Sequence, residues 1–400
     1  MNAKSVVRQY ERYVIPVYNR LGIVAVKAKG SWLWDARGKR YLDLFPGWGA
    51  NALGHCHPRI LAAIRDQAKK LIHVPNTFYH EPQARLAEAL IRASFPGKVF
   101  FTNSGAESVE AAIKLARAYG APDRWEIVCL EQSFHGRTMG ALAATGQAKY
   151  RDGFAPMLPG FVHVPLNDWA AMEAAMGERT VAVMIELVQG EGGIHVADPE
   201  YVRRLRRLCD ERRLLLIFDE ISTGMGRTGT LFCFERYGVV PDLLLLAKPM
   251  AGGLPMGAMV ARMHVSDVWK KSAHATTFGG NPLVAAAGYA ALETIRKERL
   301  LLNVRRQARY LEKRLRQWKA RFPIVREVRG LGFMWGIELD RPDLAAEWVK
   351  EALERGVLIN RTQETVIRLY PALNIARKEL EEGLDILEET LHRVEEKGRA

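Results

Sequence analysis

The sequence has few cysteines, and none are arranged to do chemistry together. Cys56, Cys129, Cys209 and Cys233 are scattered over 400 residues with no C-x-x-C pair. That excludes a disulfide framework and the usual cysteine-rich zinc sites. No apolar run approaches the roughly 20 residues that cross a bilayer, so no membrane span is expected. The opening stretch, MNAKSVVRQYERYVIP, has neither the apolar centre nor the small-residue cleavage site of a secretory leader; a cytoplasmic location is expected. Ser/Gly/Pro linkers, internal repeats, a G-x-x-x-x-G-K-[ST] loop and a G-x-G-x-x-G loop are missing as well. Nucleoside-triphosphatase and dinucleotide readings therefore lack their signatures.

The composition, 48% hydrophobic and 26% charged, is that of an ordinary globular protein, long enough for two or three domains or one large α/β domain with an appendage. A formal charge of +13 raises nucleic acid as a partner. The densest basic runs argue against it. In RRQARYLEKRLRQWKARF (305–322), Val304, Ala308, Leu311, Leu315, Trp318 and Phe322 recur at spacings of four and three. That is the apolar stripe of a helix with its arginines in solvent. RRLRRLCDERR (203–213) reads the same way. No nucleic-acid partner is expected. GHCHP (54–58) places two histidines beside a cysteine, but adjacent residues converge poorly on one ion and no second cluster follows. It reads as a structural turn, and no metal site is expected.

Short apolar runs alternate with amphipathic helices: KVFFTN (98–103), EIVCL (126–130), VAVMIEL (181–187), LLLIFDE (214–220) and DLLLLAK (242–248). This pattern predicts an α/β fold with a mostly parallel central sheet covered by helices on both faces. Residues 22 to 45 read as short antiparallel strands turning at Asp35–Gly38. A long helix is expected from about Leu283, with helices over 342–355 and 376–396 and strands in VREVRGLGFMWGIEL and VIRLYP. The expected division is a large domain over 46–290 and a smaller α+β domain built from 1–45 and 291–400.

Three features stand at the carboxyl ends of strands, where such sheets bind ligands. Lys248 follows the apolar run Leu243–Ala247 and is cut off by Pro249 and Gly252-Gly253. A solvated lysine at a turn is one reading; an amine used covalently is the other, since a lysine can form an imine with an aldehyde. Ser104-Gly105-Ala106 opens a helix after FFTN, either as an ordinary capped start or as a cradle for a phosphate. Asp219 and Glu220 end LLLIFDE, where an acid needs a metal or a protonated ring nitrogen as partner. Pyridoxal phosphate has an aldehyde, a phosphate and a ring nitrogen together, and it is the one group that uses all three features.

The chain also resembles a known family. YLDLFPGWGANALGHCHP, NTFYHEPQARLAEAL, VFFTNSGAESVEAAIKLAR, SFHGRTMGALAATGQ, VQGEGGI, FDEISTGMGRTG, PDLLLLAKPMAGGLPMGA, TTFGGNPL, RGLGFMWGIEL and IRLYPAL occur in this order from about Tyr13 to the last helix. They resemble the class III aminotransferases, pyridoxal-phosphate enzymes of fold type I, most closely the acetylornithine and ornithine group. The resemblance implies that Lys248 is the Schiff-base lysine and proton shuttle and that Asp219 pairs with the pyridine nitrogen. Ile221 then packs under the ring, Phe134 stacks on it, and Ser104, Gly105 and Ala106 bind the phosphate. Thr277 is expected to reach the phosphate of a neighbouring subunit, making the unit a homodimer with sites at the interface, and Thr276 to lie near substrate. Arg137 would hold the donor's α-carboxylate and Arg368 a carboxylate of 2-oxoglutarate, with Glu191 masking Arg368 while the donor is bound. The plainer alternatives are an ion-paired Arg137, a water-facing Arg368, a core Phe134 and a loop acid at Glu191.

The implied reaction moves the terminal amino group of N-acetylornithine, ornithine or a related acylated diamino acid to 2-oxoglutarate, in arginine or lysine biosynthesis. Alternatives are a 4-aminobutyrate or other omega-amino acid aminotransferase, or an aminomutase, racemase or decarboxylase on the same fold. A non-catalytic basic binding protein is a third reading. The chain departs from the family at Ser222, where a glutamine usually reaches the cofactor's 3-oxygen, at Leu187, Pro249 and Ala275, and in VYNRLG near the substrate entrance.

Overall fold

A computed structural model describes residues 3–399. Seven strands form the central sheet: β1 (Gly97–Thr102), β2 (Glu126–Leu130), β3 (Phe161–Val164), β4 (Thr180–Ile185), β5 (Leu215–Asp219), β6 (Leu243–Leu246) and β7 (Gly257–Arg262). Their order across the sheet is β1-β7-β6-β5-β4-β2-β3. The run from β6 to β3 is parallel, and β7 is antiparallel to both its neighbours. All residues of β4, β5 and β6 are buried, which is why these strands are continuous apolar runs without polar alternation.

The strand period of two splits those runs between two cores. Leu215, Ile217, Leu243 and Leu245 pack on one face with Val109, Ala112, Ile113 and Ala116 of the helix Gly105–Gly120. Leu216, Phe218, Leu244 and Leu246 pack on the other, in a core that continues through Val202 and Leu205 to Leu311, Trp348 and Leu387. Both ends of the chain join this second core. The strand Arg40–Asp43 pairs in parallel with Val357–Leu358. A four-stranded antiparallel sheet holds Val325–Leu331, Met334–Leu339, Val366–Leu369 and Asn360–Thr362 in that order.

The expected long helix from Leu283 is two helices, Pro282–Lys297 and Leu300–Arg321. Arg299 separates them at φ 53°, in the left-handed region. No glycine or proline marks this break. The preceding Glu298 is held by His57 at 3.3 Å and Arg59 at 3.0 Å, so the interruption coincides with a tertiary contact. The domain boundary expected at 290 falls inside the first of these helices. Strands β3 and β7 were not among the expected ones; β7, GAMVAR, is made largely of small residues. His57 caps the helix Pro58–Ala68 and His55 pairs with Asp43 at 2.9 Å, so GHCHP forms a turn with a left-handed Cys56.

In the basic helix Leu300–Arg321, Val304, Leu311, Leu315 and Trp318 are buried, while Arg305, Arg306 and Arg309 are exposed. Among the described residues no helix is long and apolar enough to cross a membrane. Trp318 is wholly buried against Trp348, with ring centroids 6.0 Å apart, and its Nε1 donates to Glu388 at 2.9 Å. Trp318→Ala should cost about 3–5 kcal/mol, read as a lower urea midpoint for the transition that melts the C-terminal helices.

Candidate active site

Register brings the ends of β5 and β6 together: Asp219 lies beside Leu245, and the chain then runs through Ala247 to Lys248. There it leaves the sheet abruptly. Lys248 has φ 24°, and Gly252 and Gly253 have φ 61° and 106°, conformations that favour glycine. Lys248 Nζ donates to Ser222 Oγ at 2.5 Å. Burial lowers its pKa, only partly opposed by the charges of Glu191 and Asp219. The amine opens on a cavity of about 410 Å³ lined also by Ser104, Ala106, Phe134, Arg137 and Ile221.

Asp219 is buried with two partners. Its Oδ1 accepts from Ile221 N at 3.0 Å, and its Oδ2 from His135 Nδ1 at 2.7 Å. Burial disfavours a charged His135, but the hydrogen bond and charge of Asp219 outweigh it and raise the pKa. Beside them lies Glu186, whose Oε2 accepts from Phe134 N at 2.9 Å and Oε1 from Gly190 N at 3.2 Å. Burial raises this carboxyl to about 7. His135 and Glu186 were missed in the sequence. Glu186 was legible by the argument used for Asp219, an acid closing an apolar strand run; His135 stood inside SFHGRT without a spacing to mark it.

The helix Gly105–Gly120 starts at the cavity with Ser104 as its cap, Oγ accepting from Glu107 N at 3.2 Å. Its first-turn N–H groups have no acceptor within the helix. A side chain at Gly105 would lie 2.9 Å from Ile221 Cδ1, and one at Gly136 (φ 144°) would lie 2.8 Å from Ala106 Cβ. Small residues here are what let Ile221 and the 134–137 loop close on the helix start. An amine, an acid and a helix N-terminus around one cavity fit pyridoxal phosphate.

On the substrate side, Arg137 makes no ion pair among the described residues; its guanidinium sits 4.0 Å from the Tyr150 ring centroid and 5.5 Å from that of Phe134. The ion-paired alternative for Arg137 is therefore not what the fold contains. Arg368 is 2% exposed, so it does not face water. Its Nη1 donates to Glu191 Oε1 at 2.7 Å and Gly190 O at 2.8 Å. Burial alone would raise the Glu191 carboxyl; Arg368, Lys248 and Arg137 together hold it below the ordinary value. Thr276 and Thr277 do not line the Lys248 cavity of their own chain. They line a separate groove with Asn76, Tyr79 and His80, although Thr276 Oγ1 accepts from Asn103 Nδ2 at 3.2 Å and so touches the helix start.

A lysine and an acid at neighbouring ends of a seven-stranded mixed sheet, with a helix N-terminus between them, define a fold-type-I pyridoxal-phosphate enzyme. The family model described as aminotransferase class-III matches residues 14–391, and the chain belongs to that family. It is 47% identical to the acetylornithine aminotransferase of Caldanaerobacter subterraneus subsp. tengcongensis over 96% of this chain and 98% of that one. It is 45% identical to the acetylornithine aminotransferase of Methanocaldococcus jannaschii, over 95% and 96%. The ornithine aminotransferase of Toxoplasma gondii superposes with a TM-score of 0.96 at 31% identity, over 99% of this chain and 96% of that one. A second structure of that protein is described with partial occupancy of pyridoxal phosphate at the active site. The chain is thus a pyridoxal-phosphate-dependent transaminase.

Glu220, next to Asp219, points elsewhere. Its two oxygens accept from Cys233 N at 2.6 Å and Phe234 N at 2.7 Å, so it anchors a loop and takes no place in the cavity. Burial raises it to about 8. The folded protein then keeps a proton that the unfolded chain releases near the ordinary carboxyl value, so this group's stabilisation is full at low pH and is lost as pH rises toward 8. Glu220→Gln should therefore show a smaller fall in urea midpoint between pH 5 and 8 than the parent. An unchanged fall would contradict the assignment.

Proposed function

We propose that the chain moves the terminal amino group of N-acetylornithine to 2-oxoglutarate, with ornithine or another acylated diamino acid as close second donors, in arginine or lysine biosynthesis. The observation that carries this reading is a pair of arginines with different partners near Lys248. Arg137 lines the cavity without an ion pair among the described residues. Arg368, behind the lining, is covered by Glu191, whose carboxylate feels the charges of Arg368, Lys248 and Arg137 together. Two carboxylate-bearing substrates that alternate at one site call for such a pair, and a guanidinium meets each bidentately. An aminomutase or racemase has no use for a masked acceptor arginine. The names carried by the two relatives above support the same donor.

Bound pyridoxal phosphate supplies the electron sink and carries the amino group between half-reactions. In this reading Lys248, Asp219, Ser104, Gly105 and Ala106 hold the cofactor, and Phe134 and Ile221 cover its ring. Lys248 Nζ, favoured uncharged by its surroundings, is the base that takes a proton from the donor's amine-bearing carbon. Ser222 orients that nitrogen through its hydroxyl. In the donor half-reaction Arg137 holds the α-carboxylate and Glu191 stays on Arg368. In the acceptor half-reaction Glu191 swings off, and Arg368 takes a carboxylate of 2-oxoglutarate.

The same reading makes the unit a cytoplasmic homodimer, with Thr277 serving a second copy's site and Thr276 near substrate. Exposed Ile72, Phe78, Tyr79 and Phe278 are consistent with a second copy covering this face, as is the helix Ala3–Tyr13, which buries no residue. Four free cysteines, three of them buried, suit a reducing compartment. The large domain is taken as 46–290 and the small one as 1–45 with 291–400.

The deciding measurement is a panel of amino donors with 2-oxoglutarate, read as glutamate formed. N-acetylornithine should give the highest kcat/KM, and Arg137→Ala should raise its KM about 30-fold, the loss of roughly 2 kcal/mol of charge-assisted hydrogen bonding. Activity confined to 4-aminobutyrate or β-amino acids would refute the donor. Borohydride reduction followed by peptide mapping should tag Lys248, and Lys248→Ala should lose both tag and turnover; a tag on another lysine would remove the basis of the mechanism.

A further inference from the structure

Arg368 lies directly opposite Asn360 in the antiparallel pairing of Val366–Leu369 with Asn360–Thr362. A guanidinium has five N–H donors and no acceptor. Asn360 Oδ1 takes two of them, from Nε at 2.8 Å and Nη2 at 2.5 Å. Gly190 O and Glu191 Oε1 take the two on Nη1, at 2.8 Å and 2.7 Å. One donor, on Nη2, has no acceptor among the described residues. The Phe45 ring lies 4.8 Å from Cζ and covers part of the group.

If Glu191 alone withdraws, the Nη1 donor it held joins the one already free on Nη2, giving one free donor on each terminal nitrogen. A single carboxylate has two oxygens with which to meet donors on two neighbouring nitrogens. The withdrawal needs only the side chain to turn, because the backbone beneath it is tied: Thr362 Oγ1 and Gln363 Nε2 both donate to Glu191 O at 2.8 Å, and Gly190 N donates to Glu186. Without Asn360, the Nε and second Nη2 donors would also be free, and the guanidinium would have no side-chain amide fixing which edge it presents.

We propose that Asn360 is a positioning residue of the acceptor site: it occupies the side edge of Arg368, so that departure of Glu191 exposes a terminal edge matched to one carboxylate of the keto acid. The proposal rests on the reading of Arg368 as the acceptor arginine. It is tested by steady-state kinetics on the holoenzyme, varying 2-oxoglutarate and amino donor separately for Asn360→Ala, Asn360→Asp and Arg368→Gln, with thermal melting to check folding. Asn360→Ala should raise the KM for 2-oxoglutarate about 10-fold or more, the loss of hydrogen bonds to a charged group, while the donor KM stays within about threefold. Asn360→Asp keeps the acceptor but neutralises the guanidinium; it should raise the same KM selectively and carries the test if the alanine variant does not fold. A folded Asn360 variant with the parent's KM for 2-oxoglutarate overturns the proposal. If Arg368→Gln also leaves that KM unmoved, the acceptor-site reading fails with it. If Arg368→Gln raises it while the Asn360 variants do not, only the role of Asn360 falls.

Discussion

Lys248 brings an amine to the end of a strand whose four residues are all buried, and the cost of charging it there organises its neighbours. Desolvation pushes the amine toward its neutral form, and the acids around it pull the other way without prevailing. The same low-dielectric surroundings act on every other group nearby. His135 escapes because Asp219 is 2.7 Å away. Among the described residues Glu186 has no such cation at hydrogen-bond distance and is pushed up to about 7, its oxygens occupied by backbone N–H groups. Asp219, His135 and Glu186 thus each have either an opposite charge or a set of backbone donors, as burial requires.

This arrangement survives only while the register of β5 against β6 holds. Side chains alternate between the two cores, so sliding β6 by one residue would exchange Leu243 and Leu245 with Leu244 and Leu246. The two faces are covered by different helices, and such a slip would unpack both. Core packing therefore fixes the separation between Asp219 and Lys248 more firmly than any contact between them. The loops that complete the cavity are held more locally, by the small residues Gly105 and Gly136 and by the carboxylate of Glu186, which ties Phe134 N to Gly190 N.

The central sheet was legible because buried parallel strands leave a plain mark, runs of Val, Ile and Leu ending in a polar residue. The same mark exposed Lys248 and Asp219. It failed where strands are built of small residues, as in GAMVAR, and where a helix ends for a tertiary reason, as at Glu298–Arg299. Glu220 and Asp219 are indistinguishable in the sequence, yet alternation sends one to a cavity and the other to a loop's backbone. His135 and Asn360 were invisible for another reason. Each acts through a partner far along the chain or across a strand pair, and no local spacing encodes that.

The excess of cations hides its functional members, and exposure does not pick them out. Arg206 and Arg368 are both paired with an acid at 2.7 Å. What separates them is the freedom of the acid. Asp242 also accepts from Leu216 N at 2.8 Å and lies near Arg262 and His264, so it cannot leave without stranding a strand's amide. The Glu191 carboxylate has Arg368 as its only hydrogen-bond partner among the described residues, while its backbone is fixed by Thr362 and Gln363. Removing it leaves one guanidinium short of an anion and no amide unpaired. An ion pair of that kind is weak as a structural element and well suited to exchange for a substrate carboxylate, because the incoming anion restores the one contact that was lost.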